Sequence, residues 1–187
     1  MTKVPKTIKH KKPSSSPSSL YLSFTNIRGL RSNFSSVESY LLQSSPDLLA
    51  LCETNLSSAV SSCDLSVDGY LLLVHKDSNS HMLGLGIYIC KNSPICRETR
   101  FESNNYSFMC FRLAPLHSIT FIFILYRSPS SQDCTFFDVI SDHIDQALSL
   151  YPSAISLLLV TLMIITLGLG LMPATLQVLK LTTFAFL

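Results

Sequence analysis

Apolar and polar residues alternate through LYLSFTNI (residues 20–27), the period of a half-buried strand. RGLRSN then breaks the pattern with glycine and polar residues. In SSVESYLLQ (35–43), Ser35 and Glu38 stand at capping-box spacing, with Val37, Leu41 and Leu42 on one face of a predicted helix. SSP ends that helix, because proline disfavours helical geometry in the residue before it. DLLALCE (47–53) is a continuous apolar run closing on an acid, the pattern of a strand covered on both faces. Four short strands are predicted next, at 70–75, 85–90, 106–113 and 118–126, separated by turn-forming Asp, Ser, Asn and Pro. Residues 132–150 predict an amphipathic helix, with Phe137, Ile140, Ile144 and Leu148 along one face and Asp138, Asp142 and Asp145 off it. The order of strands and helices implies a mixed α/β fold of two sheets with helices outside. Only the run ISLLLVTLMIITLGLGLM (155–172) has no charge and neither period.

Composition narrows this picture. The 187 residues suffice for one domain, and charged residues make up 14% against 47% hydrophobic. A charge content that low keeps membrane association open. The net charge of +2 is too small to argue for nucleic acid, but the basic excess is local. Lys3, Lys6, Lys9, Lys11 and Lys12 crowd a Ser/Pro-rich segment, 1–19, which reads as a disordered basic arm. It lacks the apolar run of a secretory signal, so an intracellular location, nuclear or cytoplasmic, is expected. Cys52, Cys63, Cys90, Cys96, Cys110 and Cys134 include no C-x-x-C pair and read as free thiols.

Three residues close predicted strands, where α/β folds place their sites. They are Asn26 in FTNIRGL, Glu53 in LALCETNL and Tyr126 in FILYRSPS. Each alone is unspecific. Together, FTNIRGLRSN, SPDLLALCETNLS, VDGY, LGLGIYI and LYRSPSS follow the order and spacing of the endonuclease/exonuclease/phosphatase superfamily. More narrowly, they resemble the apurinic-type endonuclease domain of LINE-type non-LTR retrotransposons over residues 20–153. The resemblance implies a four-layer α/β sandwich, incomplete here, that cuts a DNA phosphodiester with Mg²⁺. It implies metal-site roles for Asn26 and Glu53 and a catalytic role near the phosphate for Tyr126.

The same family carries Gly-Asp-Phe-Asn after the long helix, with an Asp to activate water, and a later Ser-Asp-His. Neither is in its place. Ser141, Asp142 and His143 spell SDH, but inside the amphipathic helix and upstream of the expected position.

The tail offers two readings. In the adjacent reading frame, the first two bases of Val160, Thr161 and Met163 force codons ending in GT, AC and AT, and the TT-type codons of Leu162 give one ending in TT, which together permit Gly, Asp, Phe and Asn. A frameshift near Ala154 would make residues 154–187 out-of-frame translation of a truncated, inactive copy. Strand-forming Ile, Leu and Val at 155–160 would then still fill a central strand slot. Alternatively, residues 155–172 approach the length of a membrane-spanning helix, making the chain a tail-anchored protein with an α/β head. A non-catalytic nucleic-acid-binding remnant using the basic arm is the third reading.

Overall fold

The computed structural model describes residues 19–56, 62–76, 84–113, 119–127, 134–162 and 177–182. Nine strands and two α-helices lie within them. In chain order they are β1 (Ser19–Asn26), α1 (Phe34–Ser44), β2 (Leu48–Cys52), β3 (Tyr70–Lys76), β4 (Gly84–Cys90), β5 (Ile95–Arg97), β6 (Ser107–Leu113), β7 (Thr120–Arg127), α2 (Phe136–Leu150), β8 (Ile155–Leu162) and β9 (Gln177–Thr182). One sheet has the order β3-β4-β2-β1-β9 and the other β5-β6-β7-β8. The two parallel pairs, β1 with β2 and β7 with β8, are each joined through a helix.

Side-chain alternation sorts the apolar residues into three layers of contact. Leu22, Ala50 and Ile87 from the first sheet meet Met109, Phe111, Ile122 and Ile124 from the second, so the main core lies between the sheets. Val37 and Leu41 of α1 pack on Leu49, Leu51 and Tyr88 on the first sheet's other face. Phe136, Ile140 and Ala147 of α2 pack on Phe108, Phe121 and Phe123 on the second sheet's other face. The result is an α/β/β/α sandwich. All five residues of β2 are buried, as its unbroken apolar run requires of a strand lined by α1 on one side and the second sheet on the other.

Several expectations need correction. α1 begins at Phe34 with Asn33 at its N-cap, so Ser35 and Glu38 do not form the cap. Asn33 instead donates its amide to the carbonyls of Ile27 and Gly29, both at 3.0 Å. Leu42 is 56% exposed, because the buried stripe of α1 runs through Val37 and Leu41. In α2 the same rotation exposes Phe137 and buries Phe136, Ile140 and Ala147. Strands β5 and β9 have too few residues, or too little alternation, to have been predicted.

Residues 155–162 form a strand, not a helix, pairing with β7 from Thr120↔Ile155 to Arg127↔Leu162. Among the described residues β8 is the last strand of its sheet and not a central one. No helix among the described residues is long and apolar enough to cross a membrane. Residues 163–172 of that candidate span, and 1–18 of the basic arm, lie outside the described residues. β9 lies within the tail and pairs antiparallel with β1, from Ser19↔Thr182 to Phe24↔Gln177.

Candidate active site at the strand ends

β1 and β2 run parallel with Asn26 opposite Cys52, so Asn26 and Glu53 leave the first sheet at the same end. The chain after β1 is laced to the chain after β2. The amide of Ile27 donates to the Cys52 carbonyl (3.0 Å), that of Gly29 to Glu53 (2.7 Å), and that of Leu30 to Thr54 (2.8 Å). The turn needed for this uses left-handed backbone at Arg28 (φ 49°) and Gly29 (φ 108°). Gly29 takes such a φ without the steric cost that a side chain brings. Asn26 supports the turn by accepting the Arg28 N–H at its Oδ1, 3.1 Å away.

Glu53 also adopts a left-handed φ, 53°. This decides where its side chain goes. Leu49 and Leu51 point toward α1, and strict alternation would send Glu53 the same way. The turned backbone sends it across the sandwich instead. Its Oε1 accepts a 2.9 Å hydrogen bond from the Tyr126 hydroxyl, at the end of β7 in the second sheet. A left-handed non-glycine residue costs about 1–2 kcal/mol, so the surrounding hydrogen bonds must hold it there.

Tyr126 is 4% exposed and belongs to the inter-sheet core together with Cys52, Ile122 and Ile124. Burial, and then the bond to the Glu53 carboxylate, push its phenol well above the ordinary tyrosine range. It therefore stays protonated and acts as a donor. The three residues singled out from the sequence thus stand at one end of the sandwich, two of them bonded to each other. The SDH of α2 does not join them. The His143 ring lies 5.9 Å from that of Phe108, which packs on the α2 side of its sheet, away from the face carrying Tyr126.

Sequence reasoning missed the residues that hold this geometry. Asn33 ties the 27–30 turn, and the Thr54 amide reaches the Gly84 carbonyl at 3.2 Å. Their only trace in the sequence was membership of the runs FTNIRGLRSN, LCETN and LGLG.

No family model and no curated protein matches the chain. Solved structures do. An AP endonuclease, LMAP, from Leishmania major is 20% identical, with a TM-score of 0.51 over 71% of this chain and 47% of its own. D. rerio TDP2 complexed with single strand DNA product is 16% identical, with a TM-score of 0.53 over 75% and 59%. The endonuclease domain of TRAS1, a telomere-specific non-LTR retrotransposon, is 7% identical, with a TM-score of 0.50 over 73% and 57%. This chain has the endonuclease/exonuclease/phosphatase fold. It spans 47–59% of the length of these three structures. Within that fold the Asn26–Glu53–Tyr126 group occupies the shared end of β1, β2 and β7, and the end of β8 lies next to it.

Proposed function

We propose that residues 20–153 are the first part of a Mg²⁺-dependent DNA endonuclease domain of the non-LTR retrotransposon kind, that residues 154–187 are its out-of-frame continuation, and that this chain alone cuts DNA little or not at all. The observation that carries this reading is the Tyr126–Glu53 hydrogen bond, 2.9 Å long, which joins the strand ends of two different sheets at a single carboxylate. The likeness to a structure with a single-strand DNA product supports DNA as the substrate.

The donors suit the metal. Glu53 offers a hard carboxylate oxygen and Asn26 an amide oxygen, the ligand type Mg²⁺ prefers. No cluster of three or more His, Cys, Asp or Glu gathers for a metal among the described residues, so an ion held here keeps most of its water. When bound, Mg²⁺ stabilises charge on the phosphate and on the leaving oxygen. Glu53 would fix the ion's place, Asn26 would orient phosphate or ion, and Tyr126 holds the Glu53 carboxylate through the one proton its phenol carries.

The gap lies on β8. Thr161 is the Cα partner of Tyr126, so the strand end beside the site carries Thr at the position where the adjacent frame permits Asp. Positioned acid–base groups contribute about 10²–10⁴-fold each, and residues that act as a unit fail together. In a plasmid-nicking assay with Mg²⁺, the chain is expected to nick near background. Thr161→Asp with Met163→Asn is expected to raise nicking by at least about tenfold, and Glu53→Ala in that background to abolish the gain. Robust nicking by the unaltered chain, lost on Glu53→Ala, overturns the inactivity. No gain in the double variant counts against the frame reading.

A further inference from the structure

Thr54 lies between two left-handed residues, Glu53 at φ 53° and Asn55 at φ 51°. It is 1% exposed. Its side chain sits over the two glycines that open β4. A Cβ on Gly86 would stand 2.9 Å from Thr54 Cγ2, closer than such atoms approach, and one on Gly84 would stand 3.4 Å from Thr54 Oγ1. The seat therefore depends on the bare Gly86, whereas a Cβ on Gly84 would meet the His75 carbonyl oxygen first, at 2.9 Å. Thr54 is also tied by its backbone on both sides, its amide to Gly84 and its carbonyl to the Leu30 amide. Its hydroxyl has no hydrogen-bond partner among the described residues, so the fit is one of shape, made through the methyl.

We propose that Thr54, seated on Gly84 and Gly86, is the positioning residue that aims the Glu53 carboxylate at Tyr126. Its bearing on metal binding rests on the nuclease reading above, whereas its bearing on the Tyr126 contact does not. The left-handed turn at Glu53 is strained, and such strain persists only where neighbours over-determine it. A β-branched side chain has few rotamers, so a filled seat fixes the backbone that carries it. With Thr54 lifted off, Glu53 relaxes toward strand geometry, and its carboxylate swings to the α1 side where alternation would place it.

The test uses the full chain with Cζ-labelled tyrosine, the Tyr126 resonance being assigned with Tyr126→Phe. Mn²⁺ affinity is followed by water-proton relaxation and folding by thermal melting. Gly86→Ala is expected to move the Tyr126 resonance and to weaken Mn²⁺ by at least about tenfold, since misplacement by about an ångström is costly to a site. Adding Thr54→Ser, which removes the colliding methyl, is expected to bring both readouts back toward the unaltered chain. A Gly86→Ala protein that melts earlier with the Tyr126 resonance unmoved overturns the proposal, because Thr54 then only packs. Should Gly86→Ala fail to fold, Thr54→Ser alone decides: a shifted Tyr126 resonance supports the proposal and an unmoved one overturns it. If even the unaltered chain binds no Mn²⁺, the metal reading fails while the tyrosine resonance still decides the positioning.

Discussion

Two strand–helix–strand units occupy the sandwich, β1–α1–β2 in one sheet and β7–α2–β8 in the other. Both pair their strands in parallel and cover one face with the intervening helix. They differ at their tips. The first unit ends in a carboxylate turned inward by a left-handed residue. The second ends with Thr161 beside Tyr126. The difference separates two demands on a sequence. A strand slot accepts any uncharged string of roughly the right volume and β preference. A site needs one functional group at one register position. On the proposed frame reading, a shifted frame keeps the first and loses the second, because codons rich in U yield Leu, Ile, Val and Met in either frame.

The largest effect that can break this comparison is on stability. Leu51, in β2 and fully buried, is expected to lose about 2–5 kcal/mol on Leu51→Ala in urea unfolding. The same truncation in β8, Leu158→Ala, is expected to fall at or below the low end of that range, about 2 kcal/mol, as at a site free to collapse. Equal losses in the two experiments would mean that β8 is as finely fitted as β2, and the contrast would fall.

A smaller effect concerns the link between the units' tips. Tyr126→Phe removes the bond to Glu53 and is expected to cost about 1 kcal/mol of stability by chemical denaturation. No loss would mean that the two sheets are not joined there in solution.

The smallest effect lies at the far end of the second unit. Glu98 pairs with Arg100 and Arg112, and Arg100 also donates to the hydroxyl of Tyr151, at the C-cap of α2. The Arg100 hydrogen bond, above all, holds the Glu98 carboxyl below the ordinary range. A lowered folded value gives stability that is present above the unfolded value of about 4.3 and is lost as pH falls through the folded one. Glu98→Gln is therefore expected to lower the melting temperature near neutrality and to flatten the acid side of the profile, the two chains converging once pH falls below the folded value. A profile identical to that of the unaltered chain would remove this tie from α2.

Most of the architecture was legible because period carries it. Alternation found β1, an unbroken apolar run found β2, and three- and four-residue steps found both helices. Helix rotation was less legible. Leu42 and Phe137 look like core residues by spacing, yet adjacent apolar pairs such as Leu41–Leu42 and Phe136–Phe137 leave the facing member undecided until a sheet is placed beneath. The short β5 and the late β9 carry little periodic signal. At the site, the positions of Asn26, Glu53 and Tyr126 could be read, since each lies within one residue of the end of its strand. The turn that aims Glu53 could not, because a left-handed glutamate has no mark in the sequence. It depends on contacts with Gly29 and with the Thr54–Gly84 region, distant along the chain.

The cysteines give the two sheets separate clocks. Cys52 in β2 and Cys110 in β6 are fully buried, one in each sheet, and burial pushes the Cys110 thiol up. Cys96 and Cys134 are exposed and in no disulfide. An alkylating reagent therefore marks the outer pair at once and each inner one only when its own sheet opens. Timed mass spectrometry of the alkylated chain would then record, with no engineered probe, whether the carboxylate-bearing sheet and the tyrosine-bearing sheet come apart together or in turn.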